Sequence, residues 1–230
     1  MLPRELIGVD LSRRTVVVFD VLRATTTMVA ALDVGVDQIR IFADVHSARR
    51  AARQFGNDAI LCGEIQCLPP PDFDLGNSPG LLGPGHAGKT VFMATSNGTR
   101  AIVAAEGAQT ILIGALVNAA AIAKRMAGMA DPILLCAGTN GQVAMEDLLG
   151  AGAVISELRS RRPIELASDA ARIGARMFDC AKADLLSALT EAQGGKNVIA
   201  AGLADDIHFA ARLNAIDRVG IVQAGTVRPL

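Results

Sequence analysis

This sequence predicts a three-layer α/β/α fold: a mixed or largely parallel sheet between helices, with a helical C-terminal third packed on it. Three observations predict it. Short runs rich in Val and Ile alternate along the chain with helical patterns. Of the 230 residues, 51% are hydrophobic and 20% charged, a balance that supports a substantial core. That core is rich in Ala and Gly and poor in aromatics (3%, all Phe), so helices can approach a sheet closely. One α/β domain over residues 1–230 is expected, with 1–130 and 131–230 as the alternative two-lobed division.

The strand candidates in order are 15–20, 38–42, 59–62, 90–94, 110–114, 132–136 and 219–223. Each is short, apolar and bounded by turn residues. Helices are expected at 25–32, 47–55, 99–106, 118–126, 143–159, 168–193 and 204–213. Asn118 and Ser168 suit N-caps, and Gly194-Gly195 suits a helix stop. Two strand exits echo each other: VFMA runs into TSNGT, and PILLC runs into AGTNG. Two such loops side by side at a sheet edge would make a phosphate-sized pocket.

Composition excludes several classes of function. With 22 basic and 23 acidic residues the net charge is −1, so no basic excess exists for nucleic acid. Trp and Tyr are absent, which removes stacking platforms for single strands. The longest uncharged run, 107–123, is too short and polar for a membrane span and reads as strand followed by helix. No signal-peptide pattern opens the chain. The four cysteines, Cys62, Cys67, Cys136 and Cys180, form no C-x-x-C pair. They read as reduced thiols of a cytoplasmic protein. A homodimer is expected, as the commonest soluble assembly.

Gly83-Pro84-Gly85-His86-Ala87-Gly88-Lys89-Thr90 matches the P-loop pattern letter for letter. A P-loop must enter a helix, however, and TVFMA reads as a strand. An NTPase using Gly83–Thr90 is therefore kept only as an alternative.

The residues that carry chemistry begin at Asp20. It closes the run Val16-Val17-Val18-Phe19 and is followed by Arg23 and by Thr25, Thr26 and Thr27. A carboxylate at a strand end beside a guanidinium suits a hard cation together with an anion. Further acids stand elsewhere: Gly63-Glu64 and Asp72 and Asp74 in loops, Glu146-Asp147 within the helix expected over 143–159, and Asp205-Asp206 near the start of the helix expected over 204–213. Asp205-Asp206 also suits the start of a helix, where the dipole favours acids.

Several ordered motifs resemble the 2-phosphosulfolactate phosphatase family. They are Asp20 to Thr27, Gly63-Glu64, Phe73-Asp74-Leu75-Gly76-Asn77-Ser78-Pro79, Asn97-Gly98-Thr99-Arg100-Ala101, Cys136-Ala137-Gly138 with Glu146-Asp147, and Asp206. The family usually has Arg after Gly-Glu, where this chain has Ile65, and Thr where it has Ser96. The resemblance implies a Mg²⁺-dependent hydrolysis of 2-phosphosulfolactate, or a related phosphorylated 2-hydroxy acid, to sulfolactate and phosphate. In methanogens this reaction leads towards coenzyme M. Under that reading Asp20, Glu64 and Asp147 are the expected Mg²⁺ ligands, and with Arg23 they form the catalytic set. Thr25, Thr26, Asn77, Ser78, Ser96, Asn97, Gly98, Thr99 and Arg100 are expected to bind the small anionic substrate. A non-catalytic binder of sulfonated or phosphorylated acids is the second alternative.

Overall fold

The computed structural model describes residues 1–129 and 131–230. All seven expected strands are present: β1 (Thr15–Phe19), β2 (Gln38–Phe42), β3 (Ala59–Gly63), β4 (Thr90–Ala94), β5 (Thr110–Gly114), β6 (Ile133–Cys136) and β7 (Gly220–Gln223). An eighth, β8 (Thr226–Pro229), was not foreseen. It pairs with β7 across the two-residue turn Ala224-Gly225, both at positive φ. Such a turn usually advertises itself as Asn-Gly or Asp-Gly, and the Ala conceals it.

The strand order is β3-β4-β2-β8-β7-β5-β1-β6. β3, β4 and β2 run parallel to one another, as do β5, β1 and β6. The β7–β8 hairpin is antiparallel to both of its outer neighbours. The two parallel triplets therefore run in opposite directions, and the sheet is mixed.

β1 shows why continuous apolar runs mark this sheet. Val16 and Val18 enter one hydrophobic cluster, while Val17 and Phe19 enter another on the opposite face. The first cluster joins side chains from both triplets, including Ile39, Ile60, Val91 and Ile113, with α1 (Ala24–Asp33) and α3 (Gly98–Ala104). The second packs β1 and β5 against α4 (Ala119–Met126) and α5 (Met145–Arg161). α2 (Val45–Phe55) covers β2, β3 and β4.

The C-terminal third is helical but more divided than expected. The single helix predicted over 168–193 is two: α6 (Asp169–Ala181) and α7 (Leu185–Glu191). Ser168 caps α6 as expected, its Oγ accepting from Ala171 N at 3.2 Å. Asp184 interrupts the run by capping α7, accepting from Ser187 N at 3.0 Å. Gly194 and Gly195 do not stop a helix. They lie in the first turn of α8 (Gln193–Ala200), where a Cβ on Gly195 would overlap the Leu189 carbonyl. α9 (Ala204–Ala210) follows. Asn118 stands at the N-cap of α4 but does not cap it. Its Oδ1 accepts from Ala115 N, and its Nδ2 donates to the carbonyls of Ile113 and Arg218.

α5 and α6 cross where Gly152 meets Gly174. A Cβ on Gly152 would overlap the Gly174 carbonyl oxygen, which a rigid helix cannot withdraw. Gly152→Ala is expected to cost about 1–3 kcal/mol of stability by this overpacking, measured by urea unfolding.

The Gly83–Thr90 segment passes through a short 3₁₀ turn at Pro84–His86 directly into β4. No helix follows, so the backbone donors that make a P-loop are not presented.

Candidate active site

The site is built where β1, β3, β4 and β6 deliver their loops. Asp20 leaves β1, and its peptide is tied to the start of α1. Its N–H donates to Thr25 Oγ1 at 3.0 Å, and its carbonyl accepts from Thr25 N at 3.0 Å. Thr26 Oγ1 donates to the Val21 carbonyl at 2.7 Å, and Thr27 Oγ1 to the Asn77 carbonyl at 3.0 Å. All three threonines are buried. The Thr25 and Thr26 hydroxyls fasten this loop, and the Thr27 hydroxyl ties it to the Asn77 segment. The Leu22–Arg23 peptide within that loop is cis.

Glu64 leaves β3. Its Oε1 accepts from Ser96 N at 2.7 Å, and its Oε2 from Cys67 N at 3.0 Å, so one carboxylate joins two loops. Gly63 makes this possible, because a Cβ there would overlap the Ala94 carbonyl. Gly98 permits a second close approach. A Cβ on it would lie 2.7 Å from Asp20 Oδ2 and 2.5 Å from the Ala24 Cβ. The exits of β1, β3 and β4 thus meet, although β1 runs against the other two.

Asp20, Arg23, Glu64, Asn77, Ser96 and Asn97 line one cavity of about 590 Å³. Thr139 and Asn140 line it as well, so both of the echoing strand exits reach one pocket. Gly194, Asn197 and Val198 of α8 form a further wall. The glycine pair reads in sequence as a helix end, which conceals this wall. Asn77 Oδ1 is buried and has no partner, which leaves an acceptor for a ligand's hydroxyl or a water.

Arg23 is only 3% exposed and anchors the cavity's back. Its Nη1 donates to Asp206 Oδ2 at 2.6 Å and to Ser78 Oγ at 3.1 Å, and its Nη2 to the Cys67 carbonyl. Ser78 Oγ also donates to Asp206 Oδ2, at 2.7 Å. Asp206 is therefore the guanidinium's partner, a role its place at the start of α9 had concealed.

Asp147 stands behind Asp20, buried, and both of its oxygens are engaged. Oδ1 accepts from Val21 N and Oδ2 from Gly138 N, each at 2.9 Å. Thr99 is also buried, exchanging hydrogen bonds with Thr95. Thr25, Thr26, Gly98, Thr99, Ser78 and Asp147 support the cavity from behind, and Arg100 is exposed outside it.

The acids are crowded. Burial pushes Asp20 up to about 7, and the Glu64 and Glu146 carboxylates add to the rise against the Ala24 N–H and Arg23. Asp147 is held well above the usual carboxylate range, first by burial and then by Asp20 and Glu146. Glu146 is itself raised by burial, and one of its oxygens has no partner. Cys62 and Cys136 are buried thiols pushed up to about 12, which agrees with inert packing residues. Cys67 is half-buried at the cavity and Cys180 is exposed.

Among the described residues, no helix is long and apolar enough to cross a membrane. A family model described as 2-phosphosulpholactate phosphatase matches residues 2–225. The chain is similar to proteins named probable 2-phosphosulfolactate phosphatase. The one from Carboxydothermus hydrogenoformans is 38% identical over 216 residues, 92% of this chain and 88% of that protein. The one from Deinococcus radiodurans is 37% identical over 201 residues, covering 86% and 82%. That from Caldanaerobacter subterraneus subsp. tengcongensis is 30% identical over 222 residues, covering 95% and 92%. Ordered motifs that converge on one cavity, together with matches running nearly end to end, place this chain in the 2-phosphosulfolactate phosphatase family of phosphoric monoester hydrolases.

Proposed function

We propose that this cavity hydrolyses 2-phosphosulfolactate, or a related phosphorylated 2-hydroxy acid, with Mg²⁺ held by Asp20 and Glu64. The carrying observation is the meeting of these two carboxylates with a buried guanidinium in one cavity. Mg²⁺ is commonly held by one or two carboxylates and keeps several waters. Among the described residues no group of three Asp, Glu, His or Cys side chains is arranged as a ligand set, so a two-carboxylate site is the better fit. The Asp20 carboxyl, raised first by burial and then by Glu64 and Glu146, agrees with this, because a bound cation would offset both. Asp147, expected as a third ligand, is instead read as the residue that fixes the Val21 peptide behind Asp20.

When bound, the metal supplies charge neutralisation of the phosphoryl oxygens and a more acidic water. The protein supplies the rest. Arg23, held by Asp206 and Ser78, presents its remaining donor capacity to an anionic group. Asn97 and Ser96 face the same space, and Asn77 Oδ1 accepts a hydrogen bond from a hydroxyl or water. α8 closes the wall and limits water.

Phosphate release from a panel of phosphorylated 2-hydroxy acids, with Mg²⁺ and with a chelator, tests this reading. Metal-dependent turnover is expected, and binding without turnover would favour the non-catalytic alternative. Lys89→Ala is expected to leave that activity unchanged, since the Gly83–Thr90 turn is not among the cavity's lining. Loss of activity in this variant would revive the nucleotide-binding alternative.

A further inference from the structure

α2 carries a concentration of charge that the proposed hydrolysis does not use. It buries Ala48 and Ala52. The spacing 46, 49, 50, 53 puts His46, Arg49, Arg50 and Arg53 together on the other face. These four line an open groove of about 600 Å³, with Gln54 and Asp72.

A basic helix face is ordinarily solvated, and ordinarily it brings its own counter-charges. α6 does so through Arg172–Asp169 at 3.0 Å and, at its C-terminal end, Lys182–Asp179 at 3.2 Å. α2 has no Asp or Glu between Val45 and Phe55. Among the described residues, none of its arginines lies within salt-bridge distance of a carboxylate, Asp72 included. The clustering is local, because the whole chain is slightly acidic. Arg49 is fixed in place. Its Nη2 donates to the Pro71 carbonyl at 2.9 Å, and its guanidinium lies 5.7 Å from the centre of the Phe73 ring. Its Nε is buried and has no partner. Arg50 reaches only Ser47 Oγ, at 3.4 Å, and Arg53 is exposed.

Guanidinium forks match phosphate oxygens in pairs. His46 to Arg53 spans about 10 Å of helix, more than a single phosphate bridges. We propose that this groove is a second anion site, taking a small molecule that carries two or more linked phosphate groups, with Arg49 as its fixed donor and Arg50 and Arg53 as its clamp. A long polyanion fits less well, because Asp44 and Asp58 flank the helix at its two ends. The groove also has a meaningful address. Residues 71–73 on its outer side belong to the segment that carries Glu64, Cys67 and Asn77 to the substrate cavity.

Calorimetric titration of the full chain with inorganic tripolyphosphate, metal-free and at low salt, tests the proposal. Saturable one-to-one binding is expected. Arg50→Ser/Arg53→Ser, which changes two exposed side chains, is expected to weaken it by at least about tenfold while phosphate-ester hydrolysis stays at the wild-type rate. No saturable binding to the wild type up to millimolar concentration would overturn the proposal. So would unchanged affinity in the double variant, which would put the anion elsewhere. Tighter binding of a short DNA duplex than of tripolyphosphate at the same salt would replace the small molecule with a polymer.

Discussion

Asp20→Asn is expected to reduce turnover at saturating Mg²⁺ by on the order of a thousandfold, while making the metal-free protein more stable above neutral pH. Both effects follow from one buried carboxylate. The side chain is nearly isosteric with Asn, and its Oδ1 can still accept the Ala24 N–H. What disappears is the charge. The folded protein holds the Asp20 proton up to about pH 7, whereas an ordinary Asp releases it near 3.8. Between those values the native state binds more protons than the unfolded state, so wild-type stability falls as pH rises through that window. The variant has no such loss. The two proteins should unfold at similar denaturant concentrations near pH 4. Above pH 7 the variant should gain, by at most about 4 kcal/mol. Added Mg²⁺ should reverse the ranking by stabilising only the wild type. Chemical unfolding at both pH values, with and without Mg²⁺, checks each sign. A folded variant with near wild-type turnover would remove Asp20 from the chemistry.

Arg23→Met is expected to destabilise the fold by about 3–5 kcal/mol, because it leaves Asp206 buried without its cation. Asp206→Asn in the same chain should return most of that stability, since no orphan charge then remains. It should not return activity, because the guanidinium proposed to hold the anion is still missing. The double-mutant cycle therefore separates the structural worth of the pair from its use in the site. If the double variant recovered turnover together with stability, Arg23 would be a structural residue only.

The strands were legible because each is short, apolar and bounded by turn residues, and β1, β4 and β5 are buried almost throughout. β8 was not, since TVRP is short and ends in Pro, and its turn opens with Ala. The split between α6 and α7 was hidden because nothing near 182–184 looks like a breaker until Asp184 is seen to cap. The glycine pair at 194–195 was read for conformational freedom when its use is close approach, to Glu146 and to Leu189. In the site, Asp20, Arg23, Glu64, Asn77, Ser96 and Asn97 could be grouped because each lies in a segment leaving a strand, although the two triplets run in opposite directions. Thr25 and Thr26 are expected at the substrate because a sequence cannot say where a hydroxyl points. Here the Thr25 and Thr26 hydroxyls bond within the loop that carries them. Asp206 stood among the ordered motifs, but its pairing with Arg23 was out of reach for another reason: the two lie 183 positions apart, and each alone has an ordinary local explanation.

The hairpin in the middle of the sheet has a bearing on how the molecule is made. Its strands occupy residues 220–229, after every other strand in the chain, yet they are the strip that joins the two triplets. During synthesis the ribosome releases both triplets before this strip exists. For that interval β2 and β5 each offer an unsatisfied edge, the kind of surface on which nascent chains mispair with one another. Asp20 belongs to one triplet, and Glu64 and Ser96 to the other. The two halves of the cavity's lining therefore reach their final spacing only when the late hairpin inserts, and maturation of the proposed activity is expected to lag behind the appearance of secondary structure.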